Sequence, residues 1–363
     1  MNKTPLLLAI LLSFGTRSRV QAQISHGDSL IALAMLARTH SAFSVTMPYR
    51  LFVPAGYTPT RRYPLVMFLH GGGEAGTDNL KQVLVHPGAT VWARDSNQAK
   101  VKCFVLAPQM QGTWANWLGT GPRFITTPET NNMKAAESII DSLKKEFSID
   151  SNRVYVTGMS QGGTGTWDAI ERHPNTLAAA GPMCAPGDST LAVYNGMKDI
   201  PVWIFASKDD GTTLVSAANL MPDSYVRHGS PVTRTNLLAD QITDVGLADN
   251  GVKWDSVMRT NPKTLYSLYL QGGHVGAWRY QPSAGIPLPA FRGYDNPYFI
   301  NWLLSQSKPA STPVRPHARA AFRAPAFASF AEFYSISGRL AGNVRGSVAV
   351  DRSNSVMKKS RPR

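Results

Sequence analysis

RVYVTGMSQGGTGTW, residues 153–167, begins as a strand and ends as a helix, with Ser160 at the join. RVYVTG (153–158) has the β-branched and aromatic content of a strand. The helical pattern that follows runs to Pro174. Gly158 and Gly162 flank the serine in the pattern Gly-x-Ser-x-Gly. In a chain with 30 glycines those five letters decide little. Their context decides more. A serine on a tight glycine turn between a strand and a helix is lifted above the sheet edge, where its hydroxyl can act as a nucleophile. The competing reading is a serine that caps the helix.

The segments around it repeat the same alternation. YPLVMFLH (63–70), CFVLAP (103–108), LAAAGPMC (177–184), PVWIFAS (201–207) and TLYSLYL (264–270) read as strands. Residues 132–147 carry Ile139, Ile140, Leu143 and Phe147 on one helical face, and 297–306 form the last helix. SPVTRTNLLADQITDVG (230–246) also reads as a helix. Apolar strands separated by helices predict an α/β fold, a mostly parallel sheet covered on both faces. Ligands of such sheets bind beyond the carboxyl ends of the strands.

A serine hydroxyl needs a base, and the base needs an orienting acid. Both should follow later strands. PVWIFASKDDGTT supplies Asp209 and Asp210, and TLYSLYLQGGHVGAW supplies His274. Of eight histidines, this one alone follows the last strand. Asp210 is preferred because Asp-Gly places it in the turn, with Asp209 as the alternative. An oxyanion hole needs backbone N–H groups aimed at the developing charge. Gln161, after the serine, is one candidate donor. Gly72, in the loop FLHGGGEAGTDN (68–79), is the other. That loop lacks the Gly-Lys-Ser/Thr of a phosphate site. Trp114, Trp117 and Trp278 lie near the catalytic edge, where they would either contact substrate or anchor loops.

Composition bounds the rest. The chain has 363 residues, 43% hydrophobic and 17% charged, which suits one large domain plus an appendage. Its net charge of +14 is uneven: +3 in residues 1–22, +9 in 306–363 and +2 in the body between. A nearly neutral body argues against nucleic acid as a partner. Residues 1–22, with Lys3, an apolar run over 5–14 and Val20-Gln21-Ala22, read as a secretory signal, too short to span a bilayer comfortably. Once it is removed, no membrane segment is expected. Residues 23–306 form the catalytic domain, 307–331 a Pro/Ala/Arg-rich linker, and 332–363 a basic tail or small sorting module. Cys103 and Cys184 each fall in a strand-like run and show no zinc-ligand spacing. Neither a metal nor a cofactor is expected.

Residues 43–306 resemble secreted carboxylesterases of the α/β-hydrolase superfamily. The branch is that of predicted peptidases and phospholipase/carboxylesterases, near feruloyl-esterase and polyhydroxybutyrate-depolymerase-like enzymes. The stretches that carry the resemblance are YRLFVPAGY, YPLVMFLHGGGEAGTDN, FVLAPQ, RVYVTGMSQGGTGTW, PVWIFASKDDGTT, and GGHVGAWRYQP with YDNPYFINWLLSQ. The resemblance implies an α/β-hydrolase fold with Ser160, Asp210 and His274 as triad, and Gly72 and Gln161 as oxyanion hole. It implies an ester substrate, including feruloyl or acetyl groups on plant polysaccharide. Two departures stand out. Ala206-Ser207 replaces the usual His-Gly before the acid, and residues 211–229 look inserted before the expected helix. A serine peptidase would use the same triad, but the body has no room for a large gating domain. A non-catalytic surface or polysaccharide-binding protein on this scaffold would lack a triad member, and all three candidates are present.

Overall fold

The computed structural model describes residues 24–116, 128–237, 254–279 and 292–308. Trp117 therefore lies outside the described residues, as do residues 1–22 and the tail. The chain divides into Met1–Ser311 and Thr312–Arg363, and every described residue belongs to the first unit.

Nine strands form one sheet: β1 Leu36–Ala42, β2 Val45–Phe52, β3 Tyr63–Leu69, β4 Phe104–Pro108, β5 Ile149–Met159, β6 Ala179–Met183, β7 Val202–Ser207, β8 Thr233–Leu237 and β9 Thr264–Tyr269. Their order is β1-β2-β4-β3-β5-β6-β7-β9-β8. β2 runs antiparallel to β1 and β4, and the remaining pairs are parallel. β5 therefore stands at the centre. The carboxyl ends of β3, β4, β5, β6, β7 and β9 share one edge.

Alternation along β3 builds two cores. Leu65, Met67 and Leu69 face one cluster, and Val66 and Phe68 face the other. The first is closed by helix Asn131–Glu146 through Met133, Ala136, Ile139, Ile140 and Leu143. Thr130 caps that helix, its hydroxyl accepting from the Met133 N–H at 3.1 Å. The second is closed by Pro297–Ser305. Proline starts that helix, and the Asn296 side chain accepts from the Tyr298 N–H at 2.9 Å.

Two local readings are corrected. Residues 233–237 are a strand, not part of a helix over 230–246. TRTNL pairs parallel with β9, and buried Thr235 bonds Ser267 across the pair at 2.9 Å. Its sheet neighbour outweighs the apolar spacing that suggested a helix. The crossover helices instead occupy the apparent insertion, at Val215–Ala218 and Leu220–Arg227. Cys103 and Cys184 sit one residue outside β4 and β6, as buried free thiols. Among the described residues no helix is long and apolar enough to cross a membrane.

The second core centres on Phe299. Its ring meets Phe205 edge-on at 4.9 Å, Trp92 at 5.7 Å and Trp203 at 5.8 Å. It also fills the space over Gly181, where a Cβ would come within 2.4 Å of it. Truncation would leave a cavity between a helix and a rigid sheet. Phe299→Ala should lower the unfolding free energy by about 3–5 kcal/mol in denaturant titration.

Candidate active site

Ser160 follows β5 directly and precedes helix Gln161–Arg172. Its φ of +54° and ψ of −122° are strained for a residue with a Cβ. The flanking glycines explain how the turn closes. A Cβ on Gly162 would stand 1.9 Å from the Leu69 carbonyl oxygen, and one on Gly158 2.2 Å from that of Gly162. The helix thus rests directly on the ends of β3 and β5. The Ser160 N–H donates to the Met183 carbonyl at 2.9 Å, tying the turn to β6 as well.

The other candidates arrive from strand ends across the same edge. His274 Nε2 lies 2.8 Å from Ser160 Oγ, and its Nδ1 lies 2.7 Å from Asp210 Oδ2. A carboxylate only accepts, so Nδ1 carries the proton and Nε2 is left to accept from the serine hydroxyl. Asp210 is almost fully buried, and its Oδ1 accepts from the N–H groups of Thr212 (2.7 Å) and Thr213 (2.8 Å). Burial pushes its pKa up. The hydrogen bonds from His274, Thr213 and Thr212 outweigh it and hold the carboxyl below the usual range.

Asp209 serves a different partner. Its Oδ2 accepts from the Gly272 N–H at 3.0 Å and its Oδ1 from that of Gly273 at 2.8 Å. The Ser207 hydroxyl donates to Oδ1 at 2.7 Å. From the opposite side, buried Arg292 donates through Nη1 to the carbonyls of Gln271 (2.7 Å) and Gly276 (3.1 Å). Its guanidinium lies 4.3 Å from the centre of the Tyr269 ring. Gly272 and Gly273, at φ +123° and +60°, let the turn present its N–H groups to one charge and its carbonyls to the other. Asp209 and Arg292 together grip the turn that carries His274. Sequence reasoning offered Asp209 only as a rival to Asp210 and missed Arg292.

The glycine loop meets the serine turn closely. A Cβ on Gly71 would stand 3.6 Å from the Ser160 Cβ, and one on Gly72 3.5 Å from Gln161 Oε1. His70, also missed, fixes this contact. The Met110 N–H donates to its Nε2 at 3.1 Å, so its Nδ1 holds the proton and donates to the Gly71 carbonyl at 2.7 Å. That carbonyl shares a planar peptide with the Gly72 N–H, which must then point the opposite way. The signal was available: a histidine directly before a run of glycines.

The tryptophans hold loops. Trp114 is fully buried, and its Nε1 donates to the His70 carbonyl at 2.9 Å. Trp278 is buried edge-on against the His274 ring, 4.9 Å between centres. Stacking against a substrate is closed to both, because neighbouring side chains and backbone already cover their rings. Donor atoms of Cys184, Asp210 and His274 fall within 4.8 Å of one another. Asp210 and His274 already satisfy each other, and burial pushes the Cys184 thiol well up, so the set is poorly suited to a cation.

Burial lowers the His70 pKa from 6.5 to about 4. The unfolded chain therefore binds the extra proton over that interval, and stability rises with pH there. The contribution is complete above pH 6.5 and is lost as pH falls towards 4. Urea unfolding of wild type and His70→Gln at both ends of this window should show the wild type losing more stability on acidification. Parallel losses would contradict a buried neutral His70.

No family model matches the chain. A solved structure of a thermostable esterase is 34% identical with a TM-score of 0.60, covering 77% of this chain and 64% of that one. A bifunctional acetylxylan esterase/xylanase from Neocallimastix patriciarum is 31% identical over 93 residues, which is 25% of this chain and 14% of that protein. Poly(3-hydroxyalkanoate) depolymerase C from Paucimonas lemoignei is 29% identical over 136 residues, 36% of this chain and 29% of its own length. The chain thus spans less than two thirds of the length of each of these relatives. With its central serine turn and mostly parallel sheet, the chain has the α/β-hydrolase fold and is similar to carboxylic ester hydrolases.

Proposed function

We propose that the protein is an exported serine carboxylesterase acting on acyl groups, feruloyl or acetyl, attached to polysaccharide. The observation that carries this reading is the chain Ser160 Oγ, His274 Nε2, His274 Nδ1, Asp210 Oδ2, with links of 2.8 and 2.7 Å above the central strand. Ser160 attacks the ester carbonyl while His274 takes its proton. Asp210 stabilises the imidazolium so formed. The N–H groups of Gln161 and Gly72 receive the negative charge on the carbonyl oxygen. His274 then protonates the departing alcohol. Water, activated by the same imidazole, releases the acid and restores the serine. The polysaccharide part of the reading is supported by the likeness to an acetylxylan esterase. Export is supported by the signal-like composition of residues 1–22.

A fluorophosphonate should label Ser160 in the folded protein, with mass spectrometry locating the adduct, and Ser160→Ala should not react. Absence of an adduct would sink the proposal. The neighbouring aspartates should separate by rate. On p-nitrophenyl acetate, Asp210→Asn should lower kcat by about 10³–10⁴-fold, since it leaves the imidazole in the wrong tautomer. Asp209→Asn, which loosens only the histidine turn, should lower it by roughly 10–100-fold. The reverse order would exchange their roles.

A further inference from the structure

A cleft of about 400 Å³ opens at the carboxyl edge of the sheet, between the β1–β2 turn and the loop after β4. That size suits a small ligand group, for which sites run about 300–1,000 Å³. Ser44, Thr46, Gln109, Gln111, Asn131 and Asn132 line it, and none of its lining side chains is charged. The other described clefts lie elsewhere. One runs along the helices Trp254–Arg259 and Pro297–Ser305, and one sits at the amino ends of β6 and β7.

The cleft is partly preset. Gln109 forms a rigid floor: its Oε1 accepts from the Asn79 N–H at 2.6 Å, and its Nε2 donates to the Glu74 carbonyl at 3.0 Å. The Asn132 amide donates to the carbonyls of Gln111 (2.7 Å) and Thr113 (2.9 Å), which leaves its side-chain oxygen as the free end. The side chains of Ser44, Gln111 and Asn131 make no hydrogen bond among the described residues. Next to Ser44 in the chain is Phe43, 52% exposed, in a turn where both Phe43 and Ser44 have positive φ (52° and 60°). That turn holds an aromatic ring in water, where apolar area is ordinarily withdrawn.

Neutral amides and hydroxyls around a concave floor, with an exposed aromatic next to Ser44 in the chain, match one ligand chemistry. A sugar offers hydroxyls to the former and C–H faces to the latter. The lining provides no cation for a phosphate or carboxylate, and little apolar depth for an acyl chain. The position fits too. Strands lie about 4.8 Å apart, and β4 is two places from β5, so the cleft is roughly 10–15 Å from Ser160. The loop of residues 71–79 spans the interval, with Gly71 against Ser160 and the Glu74 carbonyl on Gln109.

We propose that this cleft is a subsite for the main chain of a neutral polysaccharide whose ester group reaches Ser160. The inference rests on the esterase reading for its purpose, though binding can be measured without catalysis. Full-length Ser160→Ala should be retarded in native gels containing deacylated arabinoxylan, and not in gels containing dextran, a neutral polysaccharide of different backbone. Gln111→Ala/Asn131→Ala and Phe43→Ala, each in the Ser160→Ala background, should weaken that retardation by about fivefold or more while their thermal midpoints stay within a few degrees. Absence of retardation, or equal retardation of the variants, overturns the subsite. So does binding of a casein-derived peptide that the same variants lose, without any effect of arabinoxylan. Labelling of Ser160 by fluorophosphonate in the unsubstituted protein is read separately. A protein that labels but ignores arabinoxylan loses only the subsite.

Discussion

Among the described glycines, the position with least room is Gly162, where an added Cβ would stand 1.9 Å from the Leu69 carbonyl oxygen. It seats helix Gln161–Arg172 on the ends of the two central strands without a side chain between. Two consequences follow. Ser160 must bridge a strand and a helix within one residue, which forces its positive φ. The first turn of that helix also comes against the glycine loop after β3, close enough for Gly72 to meet Gln161. Candidate nucleophile and candidate oxyanion donors are therefore placed by one packing contact. Any side chain at residue 162 would push helix Gln161–Arg172 away from the end of β3 at Leu69 and His70.

The rest of the site depends on charge rather than on close packing. Three carbonyl or carboxyl partners organise the edge: Asp210 on His274, Asp209 on the N–H groups of the histidine turn, and the Gly71 carbonyl on His70. Arg292 completes the grip on the turn. Adjacent aspartates thus have separate tasks. One faces the imidazole ring and the other faces the backbone that carries the ring. Both carboxyls are held below their usual range against the effect of burial, because each collects several hydrogen bonds in its ionised form. A turn with two left-handed glycines would have many conformations by itself. Opposed charges on its N–H and carbonyl sides select one of them.

Much of this was legible in the sequence, for identifiable reasons. The strands leading to Ser160, to Asp209-Asp210 and to His274 are short apolar runs buried on both faces, and such runs stop where the chain must turn. The candidate site residues sit at those stops. What misled were segments whose structure is set by a neighbour. TRTNL has helix-compatible surroundings, and it is a strand because β9 presents an unpaired edge and Ser267 a hydrogen-bonding partner. Trp114 and Trp278 lie near the catalytic edge in sequence, yet both turn inward, one to the His70 carbonyl and the other to the His274 ring. β2 does alternate, with Val45, Met47, Tyr49 and Leu51 turned to the core, but the polar cleft beside the hairpin has no such signature.

The amino-acid sequence by itself determined the order of serine, acid and histidine along the chain, the parallel α/β architecture, and the glycines that let the serine turn close. These are local matters: residue type at a strand end, period-two burial, the absence of a Cβ. Only the tertiary structure decided which aspartate faces the imidazole, how the histidine turn is held, and which residue orients the Gly71–Gly72 peptide. Those outcomes depend on groups far apart in the chain, such as Asp209 with Gly272 and Gly273 or His70 with Met110. Directional hydrogen bonds at about 3 Å discriminate between neighbours that composition and spacing cannot tell apart.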